Sequence, residues 1–179
     1  ISFALYGLKN KPGTKSGGVA DLLEALATKV NQSKQPLSAQ STSMCMLGLV
    51  KQTSEQREAL RLLSGLRLKL GRFDKQACGN VLYGLAGMCS LEKSVLDFVS
   101  VVADRIEDCP GTMSSQEICN ALWGMQRMDS RNPEVTKLLR VLVPRIEQCQ
   151  EPFSAQGVGI AFHGLQSMGE DDPEVLTIT

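Results

Sequence analysis

Apolar residues recur along this chain at helical spacing, in blocks separated by short polar stretches. In "SSQEICNALWGMQRM", counting from Gln116 as zero, offsets +2, +5, +6, +9 and +12 hold Ile118, Ala121, Leu122, Met125 and Met128. At about 100° per residue these positions fall on one side of a helix and predict a core stripe. The same offsets from Gln156 give Val158, Ala161, Phe162, Leu165 and Met168. A methionine stripe at this spacing is core filling, because the thioether is flexible and apolar.

The pattern repeats. Related strings are "ISFALYGL" at the start of the chain, a degraded "SMCMLGL" at 43–49, "DKQACGNVLYGLAGM" and "SAQGVGIAFHGLQSM". Their glycines Gly7, Gly48, Gly84, Gly124 and Gly164 are 41, 36, 40 and 40 residues apart. Two residues before each of Gln40, Gln76, Gln116 and Gln156 stands Ser38, Asp74, Ser114 or Ser154, all good helix N-caps. The residue before each cap and the one four beyond it have the spacing of a hydrophobic staple, and Ser114 with Glu117 forms a capping box. Each unit therefore opens with one helix, A, running from the cap to about Met88, Met128 or Met168. A second helix, B, follows in "GGVADLLEALATKV", "SEQREALRLLSGLRLKL", "SLEKSVLDFVSVVADRI", "NPEVTKLLRVLVPRI" and "DPEVL". Pro133 and Pro173 fit the first helical position after Asn132 and Asp172, the acidic run at 170–172 suits a helix start, and Pro144 should kink its helix.

The expected fold is all-α: an α-solenoid of stacked helix–turn–helix repeats with a period of about 36–41 residues and no β-sheet. The units are a partial one at 1–34, full ones at 35–72, 73–112 and 113–152, and a partial one at 153–179. The chain starts in mid-motif and neither end has a polar capping unit, so the sequence predicts a piece of a longer array.

Helix A has two further faces. Offsets +3 and +8 lie on its flanks and carry small residues, the second being the glycine series. Glycine costs roughly 1 kcal/mol against alanine inside a helix, so its recurrence points to close packing between neighbouring A helices. Offsets 0, +4, +7 and +11 point away from the core and carry Gln76, Asn80 and Tyr83, then Gln116, Asn120, Trp123 and Arg127, then Gln156 and His163. Amides can read base edges, rings can stack on bases, and an arginine can meet a phosphate. The same rings could instead pack against the next A helix, and helical geometry alone leaves both open.

Composition narrows the chemistry. With 19 basic and 19 acidic residues the net charge is zero, unlike a generic polyanion binder. No apolar run is long enough to span a bilayer. The six cysteines include no C-x-x-C pair and His163 is the single histidine, which argues against a metal site and for buried reduced thiols. His163 has no fixed cysteine or acid partner, and no phosphate loop or paired-carboxylate motif is present, so no catalytic residues and no cofactor are expected.

The three long A strings resemble the octotricopeptide-repeat class of helical-repeat proteins and the related heptatricopeptide and RAP-associated arrays. Similar "NALYGLQ"-type tandem units occur in algal and other protist proteins. The resemblance covers most of the chain and is weakest at 35–72. It implies binding of single-stranded RNA in a plastid or mitochondrion, for transcript processing, stability or translation. The competing expectation is a structural scaffold or accessory subunit of a large organellar complex, contacting protein. Zero net charge favours it, as does the second unit, where Gln40, Met44, Leu47 and Lys51 replace the amide and aromatic column.

Overall fold

In a computed structural model, residues 1–13, 17–169 and 173–178 are described. Among these the chain forms ten α-helices and no strand: α1 (Ser2–Tyr6), α2 (Gly18–Gln32), α3 (Ala39–Leu49), α4 (Arg57–Arg67), α5 (Lys75–Tyr83), α6 (Lys93–Glu107), α7 (Ser115–Trp123), α8 (Pro133–Glu147), α9 (Ala155–Gly164) and α10 (Pro173–Ile178). A lone bridge pairs Leu37 with Leu70. Each odd-numbered helix packs on the next odd one, from α1 to α9, and each even-numbered helix on the next even one, from α2 to α10. The fold is all-α, two rows of helices with an apolar core between them.

The caps explain where the odd helices start. Ser38, Asp74, Ser114 and Ser154 accept the N–H of Ser41, Ala77, Glu117 and Gly157 at 3.2, 2.7, 3.3 and 3.0 Å. Glu117 returns the contact by accepting the Ser114 N–H at 2.8 Å, closing the capping box. Phe73 and Met113 just before the caps, and Cys78 and Ile118 four residues beyond them, are all buried in the core, consistent with hydrophobic staples.

The helices end earlier than the sequence pattern suggests. α5, α7 and α9 stop at Tyr83, Trp123 and Gly164, not at the methionines that follow. The chain continues in three-residue turns: Leu85 N–H donates to Leu82 O at 2.8 Å and Met88 N–H to Leu85 O at 2.7 Å, and Met125 and Met128 repeat this at 2.9 and 2.8 Å. This tighter winding keeps Met88, Met125 and Met128 fully buried, so the apolar period survives the end of the helix. α4 and α6 likewise begin at Arg57 and Lys93, later than expected, because Ser54 and Ser90 belong to the loops. α8 runs through Pro144 to Glu147. Asp172 and the acidic run at 170–172 lie outside the described residues.

The core columns of α5 and α7 are buried as expected, including Val81, Leu82, Ile118, Ala121 and Leu122. α9 departs from this. Val158 is 42% exposed and Phe162 50%. α10 packs on α8.

The glycine series sets the approach of the odd helices. A Cβ built on Gly48, Gly84, Gly124 or Gly164 would overlap the carbonyl oxygen of Leu5, Met46, Leu82 or Leu122 in the preceding odd helix. Each of those carbonyls stands two residues before its own helix's glycine. Gly84 and Gly124 are right-handed C-caps with φ of −63°, so space and not backbone freedom demands glycine there. On the opposite flank a Cβ on Gly79 would lie 2.8 Å from Glu117 O of the following odd helix, and Cys119 Sγ donates to Gly157 O at 3.4 Å.

Two alanine substitutions separate these roles. Gly124→Ala meets backbone that cannot turn aside and should cost about 1–3 kcal/mol, the range for overpacking. Gly159 lies inside α9 with nothing near a built Cβ, so Gly159→Ala should stabilise by up to about 1 kcal/mol through helix propensity. Urea unfolding of both variants checks this, and equal effects would mean that the glycine contact does not set the helix spacing.

Candidate functional site

The outward column of the odd row is built one helix at a time. Capping fixes where each helix starts, so its first-turn glutamine projects at a constant place, and Gln76, Gln116 and Gln156 are all exposed. One turn on, Asn80 and Asn120 are half-buried, and Gln116 Nε2 donates to Asn120 Oδ1 at 3.0 Å. Gln116 and Gln156 line one cleft of about 130 Å³ between the first turns of α7 and α9, together with Ser115, Ser154 and Ile160.

At the other end of these helices the rings meet. Tyr83 and Trp123 are half-buried and His163 is exposed. Trp123 stacks on His163 of the next odd helix, with ring centroids 4.9 Å apart and an interplanar angle of 29°. Arg127 is exposed, and its Nη1 donates to Gly87 O at 3.1 Å, reaching back one helix pair. The column thus comprises exposed amides at its start and engaged rings at its end. Of the glycines, Gly7 has no overlapping neighbour beyond its own helix, while Gly48, Gly84, Gly124 and Gly164 make the close contacts described above.

Three sets of residues that matter here were not singled out from the sequence. Gln126 links three successive helix pairs: its Nε2 donates to Ala86 O at 3.0 Å, its Oε1 lies 3.1 Å from His163 Nε2, and its carbonyl accepts Ser167 Oγ at 2.8 Å. Ser54, Ser90 and Ser130 accept the backbone N–H of Cys89, Asp129 and Gly169 at 2.6, 3.0 and 2.9 Å. All three stand six residues after a series glycine, a spacing visible in the chain. In the even row Arg145 reaches back to the end of α6 and donates to Ile106, Cys109 and Gly111 carbonyls at 2.8, 2.7 and 2.8 Å. There it adds donors to carbonyls of the last turn and of the loop after it, and places positive charge at the negative end of the helix.

The six cysteines are free thiols. Burial pushes the Cys45 thiol up to about 11, and burial beside Cys109 raises Cys78 further. Cys119 is raised by burial and by neighbouring Cys149. Among the described residues no group of three His, Cys, Asp or Glu is placed to hold a metal, and no helix is long and apolar enough to cross a membrane.

No protein-family model matches the chain, and no curated protein or solved structure is significantly similar to it.

Two outcomes follow from this geometry. A double-mutant cycle on Trp123→Ala and His163→Ala should give a coupling of about 0.5–1.5 kcal/mol, the range for an aromatic pair. Additive effects would mean that the two rings do not support each other. The thiols give a pH dependence. Cys45 has a folded value near 11 against an ordinary 9.0, so the unfolded chain loses that proton first. Its contribution to stability is fully present below pH 9.0 and is lost as pH rises toward 11. At mild alkaline pH a thiol reagent should label half-buried Cys89 and Cys149 well before Cys45 and Cys78, as mass spectrometry of the labelled native protein would show.

Proposed function

We propose that this chain is a non-enzymatic helical-repeat binding module, an α-solenoid of stacked helix–turn–helix units that binds single-stranded RNA in an organelle. The observation that carries the reading is the line of exposed amides Gln76, Gln116 and Gln156, one each in α5, α7 and α9 at a constant offset, with Asn80 and Asn120 one turn behind. Repeat proteins that read one base per helical unit use two or three side chains at fixed positions, and amides suit base edges. The partly open rings of Tyr83 and Trp123 supply faces on which a base can stack. The likeness of the A strings to octotricopeptide-type repeats supports the same partner and an organellar location. With zero net charge such binding rests on hydrogen bonds and stacking more than on phosphate neutralisation, so its salt dependence is shallow.

A second reading, a scaffold or accessory subunit docking on protein, is favoured by one specific observation. Trp123 is stacked on His163 and Arg127 donates to Gly87 O, so both serve contacts within the row.

The double substitution of Gln116 and Gln156 by alanine decides between them. Both side chains are exposed, so folding should be unchanged by circular dichroism. Affinity for single-stranded organellar transcripts, read by fluorescence anisotropy, should fall about thirtyfold, as expected for two lost hydrogen bonds near 1 kcal/mol each. An array that binds no RNA but retains a protein partner sensitive to the same pair is a scaffold.

A further inference from the structure

The two arginines near the ends of α6 and α8 stand at equivalent places, two residues before the last residue of each helix. Their surroundings differ. Arg145 spends its donors on carbonyls of the preceding even helix and loop, among them Cys109 O at 2.7 Å and Gly111 O at 2.8 Å. Gly111 has φ of 83°, a left-handed turn that glycine permits, and its carbonyl is one of those Arg145 meets. At the junction one pair earlier the loop is spent differently. Lys69 O, the counterpart of Cys109 O, accepts the Leu37 N–H at 2.7 Å, and Leu70 bridges to Leu37. Gly71, the counterpart of Gly111, does not take the left-handed conformation, and a Cβ on it would overlap Leu37 O. Arg105 is left with a single long contact, Nη2 to Leu70 O at 3.5 Å, and its buried Nε has no hydrogen-bond partner among the described residues.

That under-used guanidinium borders a cavity of about 780 Å³. Leu70 and Phe73, both buried, and Pro110 give the cavity apolar walls. Exposed Arg72 supplies a second positive charge, and Asp108 is its acidic group. The volume lies in the range of small-molecule sites, and an apolar wall with a few converging donors is their usual composition. Two guanidiniums against one carboxylate leave a net positive charge, and a guanidinium edge matches the paired oxygens of a carboxylate or phosphate. We propose that this cavity binds a small organic oxyanion, a phosphate monoester or a carboxylate on a compact apolar body, through Arg105 and Arg72. The anion takes the place that backbone carbonyls fill around Arg145. The site is independent of the amide column of the odd row and of whether that column meets RNA.

Phenyl phosphate and benzoate are the probes, titrated at constant ionic strength into the full chain, with inorganic phosphate as the reference lacking an apolar body. Isothermal titration should give saturable binding with a Kd of about 1 mM or tighter for at least one organic probe, the affinity that a few charge-assisted contacts supply. The tighter of the two names the oxyanion source, and inorganic phosphate should bind more weakly than phenyl phosphate. The Arg105 Nε–H resonance should move with saturation while that of Arg145 stays. Arg105→Gln and Arg72→Gln should each weaken binding about fivefold or more. Arg72 is exposed, so its variant keeps the test sound if Arg105→Gln does not fold. Absence of saturable binding by both organic probes, or equal binding by wild type and Arg72→Gln, overturns the proposal.

Discussion

The contact between a glycine Cα and a carbonyl oxygen of the preceding odd helix fixes most of what is specific in this molecule. It occurs at Gly48, Gly84, Gly124 and Gly164, each time against the residue two before the neighbour's own glycine. Helices held this close, and always in the same register, bring equivalent positions side by side. The ring before Gly124 therefore meets the ring before Gly164, and the serine six after one glycine meets the backbone that follows the next. A methyl group at the glycine would act at a backbone atom, which has no rotamer to escape into, so the spacing cannot be recovered by side-chain repacking.

The even row is joined by different chemistry. Arg61 pairs with Glu24, Lys137 with Asp104 at 2.5 Å, and Arg140 with Glu174 at 2.6 Å, each across a junction between successive even helices. Glu174 is largely covered, but the other two are exposed ion pairs, which contribute about 0–1 kcal/mol each and tolerate small displacements. One row is thus set by hard backbone contacts and the other by apolar packing trimmed with long flexible side chains. The backbone contacts keep the odd helices in step and their outward column in fixed order.

Much of this was legible in the sequence, for identifiable reasons. Caps at Ser38, Asp74, Ser114 and Ser154 are local, three-residue events that a string of letters contains in full. Core columns follow from the helical period, and the glycine series from a cost that needs a return. The misreadings also have causes. The stops at Tyr83 and Trp123 were hidden because the three-residue turns after them keep Met88 and Met128 buried, so the apolar period runs on. Ser90 and Ser130 read as ordinary loop residues, since a serine's burial is explained only by the N–H it accepts some forty positions away. Val158 and Phe162 carry a core pattern, but pattern cannot say whether anything lies on top of them. In the column, Gln116 and Gln156 are as open as expected, while the Trp123–His163 stack and the Arg127 contact depend on the register between helices.

Register also bears on what a surface like this can recognise. A stripe assembled from one residue per helix is useful only if its spacing is fixed before the partner arrives, because ordering it on binding would consume the affinity that neutral contacts provide. Here the amides at the start of each odd helix are held by caps at one end and by the glycine contacts at the other. The Trp123–His163 pair and Gln126, which spans three helix pairs, also brace the row. By locking one helix to the next, the Trp123–His163 stack helps to set the distance between Gln116 and Gln156, and the Arg127 contact with Gly87 does the same between Gln76 and Gln116. Their contribution would then appear as a loss of order along the stripe, spread over several amides, and not as the loss of one contact. For the RNA binding proposed above, in a chain without net charge, that preorganisation would stand in for the long-range attraction that serves basic nucleic-acid binders.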